Sequence, residues 1–168
     1  MATRAHRKSK TLITRRSGPR AVPLPNQRVP EIGLGRLLRE ADMTFNRTLR
    51  EELARYDVTF SQYQHLWQLW KEDGLPQFEL SRRIGIETAS STSVIDQLER
   101  QGLISRRRDA VDRRRIVVSL TPAGKRLETP LDACAVAVNR RARALLSSRE
   151  ITVLYDMMRK VIAGLRHK

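Results

Sequence analysis

Apolar residues recur every three or four positions over two long stretches of the chain, a spacing typical of amphipathic helices. The first stretch, 32–56, predicts one helix of about 25 residues. The second starts at Thr121, which is placed to cap a long helix, and a last helix with the same spacing covers 151–165. Since these helices offer more apolar surface than a small core needs, we expect residues 31–57 and 121–168 to form a helical dimerisation region.

Shorter periodic stretches fill the centre of the chain. Thr59 followed by Gln62 three residues later is the signature of a capping box and predicts the start of a helix. Pro76 fits the first position of a short helix that Gly85 can end. A further helix begins at about Glu87, and a short helix, a tight turn and a second helix together predict a helix-turn-helix pair.

The helix that starts near Glu87 has two different faces. Val94, Ile95 and Leu98 share the apolar face. The opposite face is polar, uncharged and rich in hydroxyl groups, and consists of Thr88, Ser90, Thr92, Ser93 and Gln97. Gly102 is placed to end this helix in a left-handed cap. A helix with one such face is typical of a protein that reads DNA in the major groove.

A basic hairpin follows directly. The apolar run 103–105 and the alternating run 115–120 predict two antiparallel strands. Six Lys or Arg against two Asp between Arg106 and Arg115 leave a charge of roughly +4 on the projecting loop. The fold class is therefore predicted as mainly α with a small β-hairpin wing, in which a winged helix-turn-helix domain lies between terminal dimerisation helices.

The composition agrees with a nucleic-acid partner. The formal net charge of the 168 residues is +15 and the isoelectric point is near 11.3. Such a balance favours a polyanionic partner. Residues 1–30 contribute eight Lys or Arg and no acidic residue, and they contain four prolines. We expect this segment to be a disordered basic arm, which either touches the DNA backbone or is a solvated tail.

The order of these motifs carries a family resemblance. The run Q-L-E-R-Q-G-L-I followed by D-R-R-R-I-V-V-S-L-T-P-A-G resembles the MarR family of bacterial transcription regulators. The wing of that family carries Asp-x-Arg and ends in Leu-Thr-x-x-Gly, and the matching positions here are Asp112, Arg114, Leu120, Thr121 and Gly124. The resemblance covers about residues 31–166. It implies a homodimer whose winged helix-turn-helix region, 58–120, binds a pseudo-palindromic operator in double-stranded DNA.

Ten residues are predicted to meet DNA. Those on the helix are Thr88, Ser90, Thr92, Ser93 and Gln97, and those on the wing are Arg106, Arg107, Asp112, Arg113 and Arg114. Many relatives have Arg where this chain has Ser93, so this protein should depend less on an arginine contact to guanine. The family pattern implies that Asp112 holds a wing arginine in place, while Arg113 or Arg114 lies nearest the tip.

The resemblance also implies a small effector in each subunit, often a phenolic or aromatic acid, so that the protein is predicted to be a repressor released by such a ligand. A pocket for it needs flat apolar walls and a polar group for the carboxylate or phenol. The candidates on the first helix are Met43, Phe45 and Arg47, and those on the second are Tyr63, His65 and Trp67.

Other functions find less support in the sequence. The three histidines are dispersed and no phosphate-binding glycine loop is present, so neither an enzyme nor a metal or cofactor site is predicted. No apolar run reaches 18 residues, and the single cysteine, Cys134, indicates a reducing cytoplasm. Two alternatives remain open: a ligand-independent activator or antirepressor, and an architectural protein that coats DNA without operator preference.

Overall fold

The computed structural model describes residues 33–166 of the chain. The helices are α1 (Leu34–Leu53), α2 (Phe60–Lys71), α3 (Gln77–Ile84), α4 (Thr88–Arg100), α5 (Pro122–Arg126), α6 (Glu128–Ala142) and α7 (Ser148–Arg166). The strands are β1 (Leu75–Pro76), β2 (Ile104–Arg108) and β3 (Ile116–Leu120). The predicted fold class, a mainly helical chain with a small β wing, is confirmed.

The wing is one strand larger than the sequence predicted. Strands β2 and β3 form the expected antiparallel hairpin, with Ile104 opposite Leu120. The short strand β1 then adds to the other edge of β3, giving the order β1-β3-β2. Pro76 pairs with Val117 in β1 and has extended backbone angles, so α3 begins one residue later than predicted. A two-residue strand is too short to show an alternating pattern, which is why periodicity missed it.

The long helices are also divided where uniform helices were predicted. After α1, residues Ala54–Tyr56 form a 3-10 turn, and Asp57 follows with a left-handed φ of 54°. The second long helix breaks at Leu127, between α5 and α6. Pro130 explains this break, because its ring lacks an N–H and conflicts with the carbonyl of Arg126 four residues earlier.

The core lies where α1, α2, α3, α4 and α6 meet the wing sheet. Its largest fully buried side chains are Leu53, Leu66, Leu69, Leu80, Ile95, Leu98, Leu131, His65 and Val118. The predicted apolar face of α4 is confirmed, since Ile95 and Leu98 are fully buried and Val94 packs against the cluster. The capping box of α2 is confirmed as well, with both the Thr59 and the Gln62 hydrogen bonds present.

The base of the wing is joined tightly to α5. Thr121 caps this helix by accepting a hydrogen bond from the Gly124 N–H, and its own N–H donates to the Leu103 carbonyl at 3.0 Å. The Trp70 indole donates to the Gly124 carbonyl at 3.0 Å. A Cβ at Gly124 would overlap the Leu103 carbonyl oxygen. Only glycine therefore allows strand β3 to lead into α5 at this distance from the start of β2.

We predict that Gly124→Ala destabilises the fold, because the new methyl group must displace backbone rather than a flexible side chain. The expected loss in the free energy of unfolding is about 1 to 3 kcal/mol, as for other overpacked positions. Chemical denaturation followed by circular dichroism measures it. The control is Gly35→Ala in α1, where a Cβ meets open space and a small gain is expected. Equal stability of the two variants would contradict the packing described here.

Candidate nucleic-acid interface

The exposed face of α4 is the first part of the candidate interface. Thr88, Ser90, Ser93 and Gln97 are all exposed in the structure. The last three lie three and four residues apart, so they form one stripe along the helix. Opposite them Ile95 and Leu98 are fully buried, which fixes the rotation of α4 about its axis. Because the apolar face is buried, the hydroxyl stripe on the other side of α4 is exposed to solvent.

Thr92 differs from its predicted neighbours. It is half-buried, and its hydroxyl donates to the Thr88 carbonyl at 2.8 Å while accepting a hydrogen bond from the Gln77 amide at 2.7 Å. The Thr92 side chain therefore links α3 to α4, and its contact with DNA remains a prediction. Gln77 was absent from the sequence prediction, because nothing in its spacing shows which face of α4 it meets.

Two aspartates organise the wing loop between β2 and β3. The Asp109 carboxylate accepts hydrogen bonds from the backbone N–H groups of Val111 at 2.8 Å and Asp112 at 2.9 Å, which lower the pKa of Asp109. Asp112 accepts the Arg114 N–H at 3.1 Å and forms an ion pair with Arg115, whose Nε lies 3.2 Å from its Oδ2. Asp112 does hold a wing arginine, but that arginine is Arg115.

Arg106 is the largest departure from the predicted set. Its guanidinium lies between two carboxylates of α4, with Nη1 2.6 Å from Asp96 Oδ1 and Nε 2.9 Å from Glu99 Oε2. Its side chain is only 27% exposed. These contacts raise the pKa of Arg106 and lower that of Glu99. These ion pairs hold the Arg106 side chain against α4, and its contact with DNA remains a prediction.

Four other wing arginines remain exposed. Among residues 33–166, two arginines of the wing, Arg106 and Arg115, form ion pairs. The other four form none, and their side chains are exposed: Arg107, Arg108, Arg113 and Arg114. Of the ten predicted DNA contacts, only Thr92, Arg106 and Asp112 have side chains that form hydrogen bonds or ion pairs among residues 33–166.

His65 has a different place from the one predicted. Its side chain is fully buried, with Nδ1 2.7 Å from the Ser61 carbonyl and Nε2 3.0 Å from the Ser91 hydroxyl. A carbonyl only accepts, so Nδ1 carries the proton and Nε2 accepts from Ser91. The predicted effector role of His65 is wrong because neither nitrogen is accessible. The imidazole instead joins α2 to α4.

A cavity of about 480 Å³ lies between α1, α2, α3 and α6. Its walls include Phe45, Tyr63 and Trp67, three of the six predicted effector residues. The polar lining consists of Asn46, Gln64, Gln68, Arg83 and Asn139. The Arg83 guanidinium is already bound to Glu79 and Glu72, each at 2.7 Å. The amides of Asn46 and Asn139 also donate hydrogen bonds, to the Asp42 carboxylate and the Ala135 carbonyl, so the remaining amides of the lining are those of Gln64 and Gln68, beside the Tyr63 hydroxyl.

Met43 and Arg47 lie elsewhere. Both line a separate groove along α1 that also contains Arg36, Arg39 and Arg50. Within one chain they therefore do not share the cavity of Phe45 and Tyr63. Met43 and Arg47 are four residues apart and share one face of α1, whereas Phe45, two positions from each, points to the other side. The predicted basic arm, residues 1–30, lies outside the described residues.

Comparison with known proteins gives this geometry a family. The sequence profile of the MarR family matches residues 58–116. A solved structure of a probable transcriptional regulator from Pseudomonas aeruginosa is 30% identical, with a TM-score of 0.69, and the match covers 77% of this chain and 97% of that one. The chain belongs to the MarR family. Members of the MarR family are transcription regulators and not enzymes.

Two further MarR-like matches are informative. The HTH-type transcriptional regulator TtmR of Methylorubrum extorquens is 31% identical over 105 residues, which cover 62% of this chain and 54% of TtmR. The chain thus spans about half the length of this relative. The structure of Bordetella bronchiseptica BpsR, whose DNA binding is regulated by 6-hydroxynicotinic acid, is 24% identical with a TM-score of 0.68 and covers 76% of this chain and 96% of that one.

Two other features of the described residues concern membrane-spanning helices and the single cysteine. Among residues 33–166, no helix is both long and apolar enough to cross a membrane. Cys134 is buried in α6 with a free thiol, and burial raises its pKa. A buried thiol with a raised pKa is a weak nucleophile.

The buried His65 predicts a dependence of stability on pH. Burial lowers the pKa of His65 below its ordinary value of 6.5, so the unfolded chain binds more protons than the folded chain just below that pH. Stability from this group is therefore complete above about pH 6.5 and falls as the pH drops toward the folded pKa. We expect the melting temperature to decrease as the pH is lowered from 7.5 to 5.5.

The matched control replaces both partners by apolar residues, His65→Val with Ser91→Ala, because removing one alone would leave a buried polar group unpaired. Thermal unfolding across the same pH range should show a shallower slope in this double variant. The other two histidines, His6 and His167, are kept in both proteins. Parallel slopes would show that His65 does not cause the pH dependence.

Proposed function

We propose that the protein is a homodimeric, sequence-specific DNA-binding regulator of transcription that acts as a repressor and releases its operator when it binds a small aromatic or phenolic acid. The observation that carries the DNA-binding part is that α4, with its exposed hydroxyl stripe, is joined through the Arg106 ion pairs to a wing that has four exposed arginines. The stripe can contact base edges in the major groove, while an arginine from the wing enters the adjacent minor groove.

The apolar surface of α7 supports the homodimer. No side chain of the described helix α7 is buried within the single chain. Its exposed apolar residues are Val153, Leu154, Tyr155, Met157, Ile162 and Leu165, and α1 adds Leu34, Leu37 and Met43. Surfaces of this kind are rare on monomers. We infer that α1, α6 and α7 pair with a second copy, so that two α4 helices address two half-sites of a pseudo-palindrome.

The proposal has a direct test. Selection from a random duplex library supplies the preferred sequence, and the affinities for this sequence and for a scrambled duplex are then compared at fixed salt. A specific regulator should prefer its operator by roughly a thousand-fold or more. An architectural coating protein would bind both duplexes with similar affinity, since contacts to phosphates carry no sequence information.

Within that assay, Arg114→Ala should weaken operator binding while leaving the dimer intact. Arg114 is exposed near the tip of the wing, and only its backbone N–H is engaged, with Asp112. The expected loss is on the order of 1 to 3 kcal/mol. Fluorescence anisotropy measures the affinity and sedimentation velocity checks the dimer. Unchanged operator affinity would remove the wing from the interface.

The cavity between α1, α2, α3 and α6 supports the effector. Tyr63 and Trp67 lie four residues apart on α2 and both line this cavity, and Trp67 is 38% exposed. The volume of the cavity, about 480 Å³, is within the range of small-molecule sites. The amides of Gln64 and Gln68, which form no side-chain hydrogen bond among residues 33–166, can donate hydrogen bonds to a carboxylate or a phenol. A ligand there would release DNA only if it bound better to a dimer whose two α4 helices are wrongly spaced.

We predict that an aromatic acid both raises the melting temperature and releases the operator. The first compounds to test are benzoate, cinnamate and 6-hydroxynicotinic acid, the regulator of BpsR. Trp67→Ala should abolish the response, because it removes a wall of the cavity, while Arg47→Ala on the separate groove of α1 is the matched control. A response that survives Trp67→Ala, or no response to any compound, would favour the ligand-independent regulator.

A further inference from the structure

Arg106 and the two acidic residues of α4 form an ion-pair cluster at the base of the wing. Besides the contacts of the guanidinium with Asp96 and Glu99, the backbone N–H of Arg106 donates to Glu99 Oε1 at 3.2 Å. Glu99 therefore holds both the side chain and the main chain of strand β2. Because the Glu99 carboxylate accepts hydrogen bonds from the backbone N–H and from the guanidinium of Arg106, it fixes the direction of the strand as well as the position of the side chain.

The charges on α4 make this cluster necessary for a DNA-binding surface. Asp96 and Glu99 lie three residues apart on α4, and Asp96 follows three residues after Ser93, so it borders the hydroxyl stripe. Two uncompensated carboxylates here would repel a phosphate backbone. Arg106 neutralises both without leaving the protein, and its side chain is mostly covered.

A second contact joins the other strand of the wing to the other helix of the pair. The Arg115 guanidinium lies over the Phe78 ring, 5.9 Å from its centroid, while its Nε pairs with Asp112. Phe78 belongs to α3 and is 52% exposed. Arg106 thus connects β2 with α4, and Arg115 connects the start of β3 with α3. The wing is attached to both helices of the helix-turn-helix.

We propose that Arg106 is a positioning residue for DNA recognition and not a DNA contact. Its bonds to Asp96 and Glu99 set the angle between α4 and the wing, so that the hydroxyl stripe and the tip arginines reach two adjacent grooves together. This inference rests on the proposed DNA-binding function. It differs from the simple interpretation of a basic wing, in which every exposed or partly exposed arginine neutralises a phosphate.

The two interpretations predict opposite signs for Glu99→Gln. If Arg106 met a phosphate, loss of the nearby negative charge would strengthen binding to any duplex. If Arg106 positions the wing, the same change loosens the wing, and operator affinity falls by roughly ten-fold, as expected for a coupled ion-pair network. Fluorescence anisotropy with operator and scrambled duplexes, from low to high salt, measures both quantities. A rise in operator affinity for Glu99→Gln would overturn the proposal.

The salt dependence separates the roles further. Arg106→Gln should lower operator affinity with an unchanged slope of log affinity against log salt concentration, because no phosphate contact is lost. The matched control is Arg107→Gln, the exposed neighbour on the same strand, for which a phosphate contact predicts a slope smaller by about 0.9. A slope change of that size in Arg106→Gln would also overturn the proposal. The exchanged pair Glu99→Arg with Arg106→Glu should recover part of the lost affinity.

Hydrogen exchange provides a readout that needs no DNA. In the dimeric protein as purified, Glu99→Gln should accelerate amide exchange in residues 104–118 while exchange in α2 stays unchanged. Unaltered exchange in the wing would contradict the proposal even if DNA binding changed. If the parent protein showed no preference for its selected operator, the proposed function would fail, and the exchange rates would still decide whether Glu99 and Arg106 hold the wing.

Discussion

The structure depends on the burial of one face of α4. Ile95 and Leu98 are fully enclosed by the core, and their side chains are joined there by Leu66 and Leu69 of α2. Each such side chain contributes roughly 1.5 to 3 kcal/mol through the hydrophobic effect. Since a helix has a fixed rotation per residue, burial of this face determines which side chains stay in the solvent. The exposure of the polar stripe therefore follows from the burial of the opposite face of α4 and not from contacts made by the stripe residues.

Much of this organisation could be predicted from local patterns. The three-four spacing located α4, and Gly102, with a left-handed φ of 68°, marked the turn that follows this helix. The alternating run located β3. These features depend on residues close together in the chain, so the sequence expresses them directly. The family resemblance then connected them to a winged helix-turn-helix, and the fold agrees.

The pairing of side chains between elements could not be predicted in the same way. His65 meets Ser91, 26 positions later, and Arg106 reaches back seven positions to Glu99 across a turn. Such contacts depend on how two elements pack, and periodicity has no information on that arrangement. One signal was nevertheless present. Two acidic residues three positions apart on the helix that we propose to face DNA require a nearby cation, and Arg106 is the first one in the following strand.

The three-stranded wing also has a consequence for association. In an open sheet the two outer strands expose unpaired backbone groups, which invite another chain to add a strand. Here one outer strand, β1, has two residues, and one of them is Pro76, which has no N–H to donate. The other, β2, carries the consecutive charges of Arg106, Arg107 and Arg108. Neither edge suits strand addition, so two molecules crowded on neighbouring DNA sites can approach without fusing their wings into a common sheet.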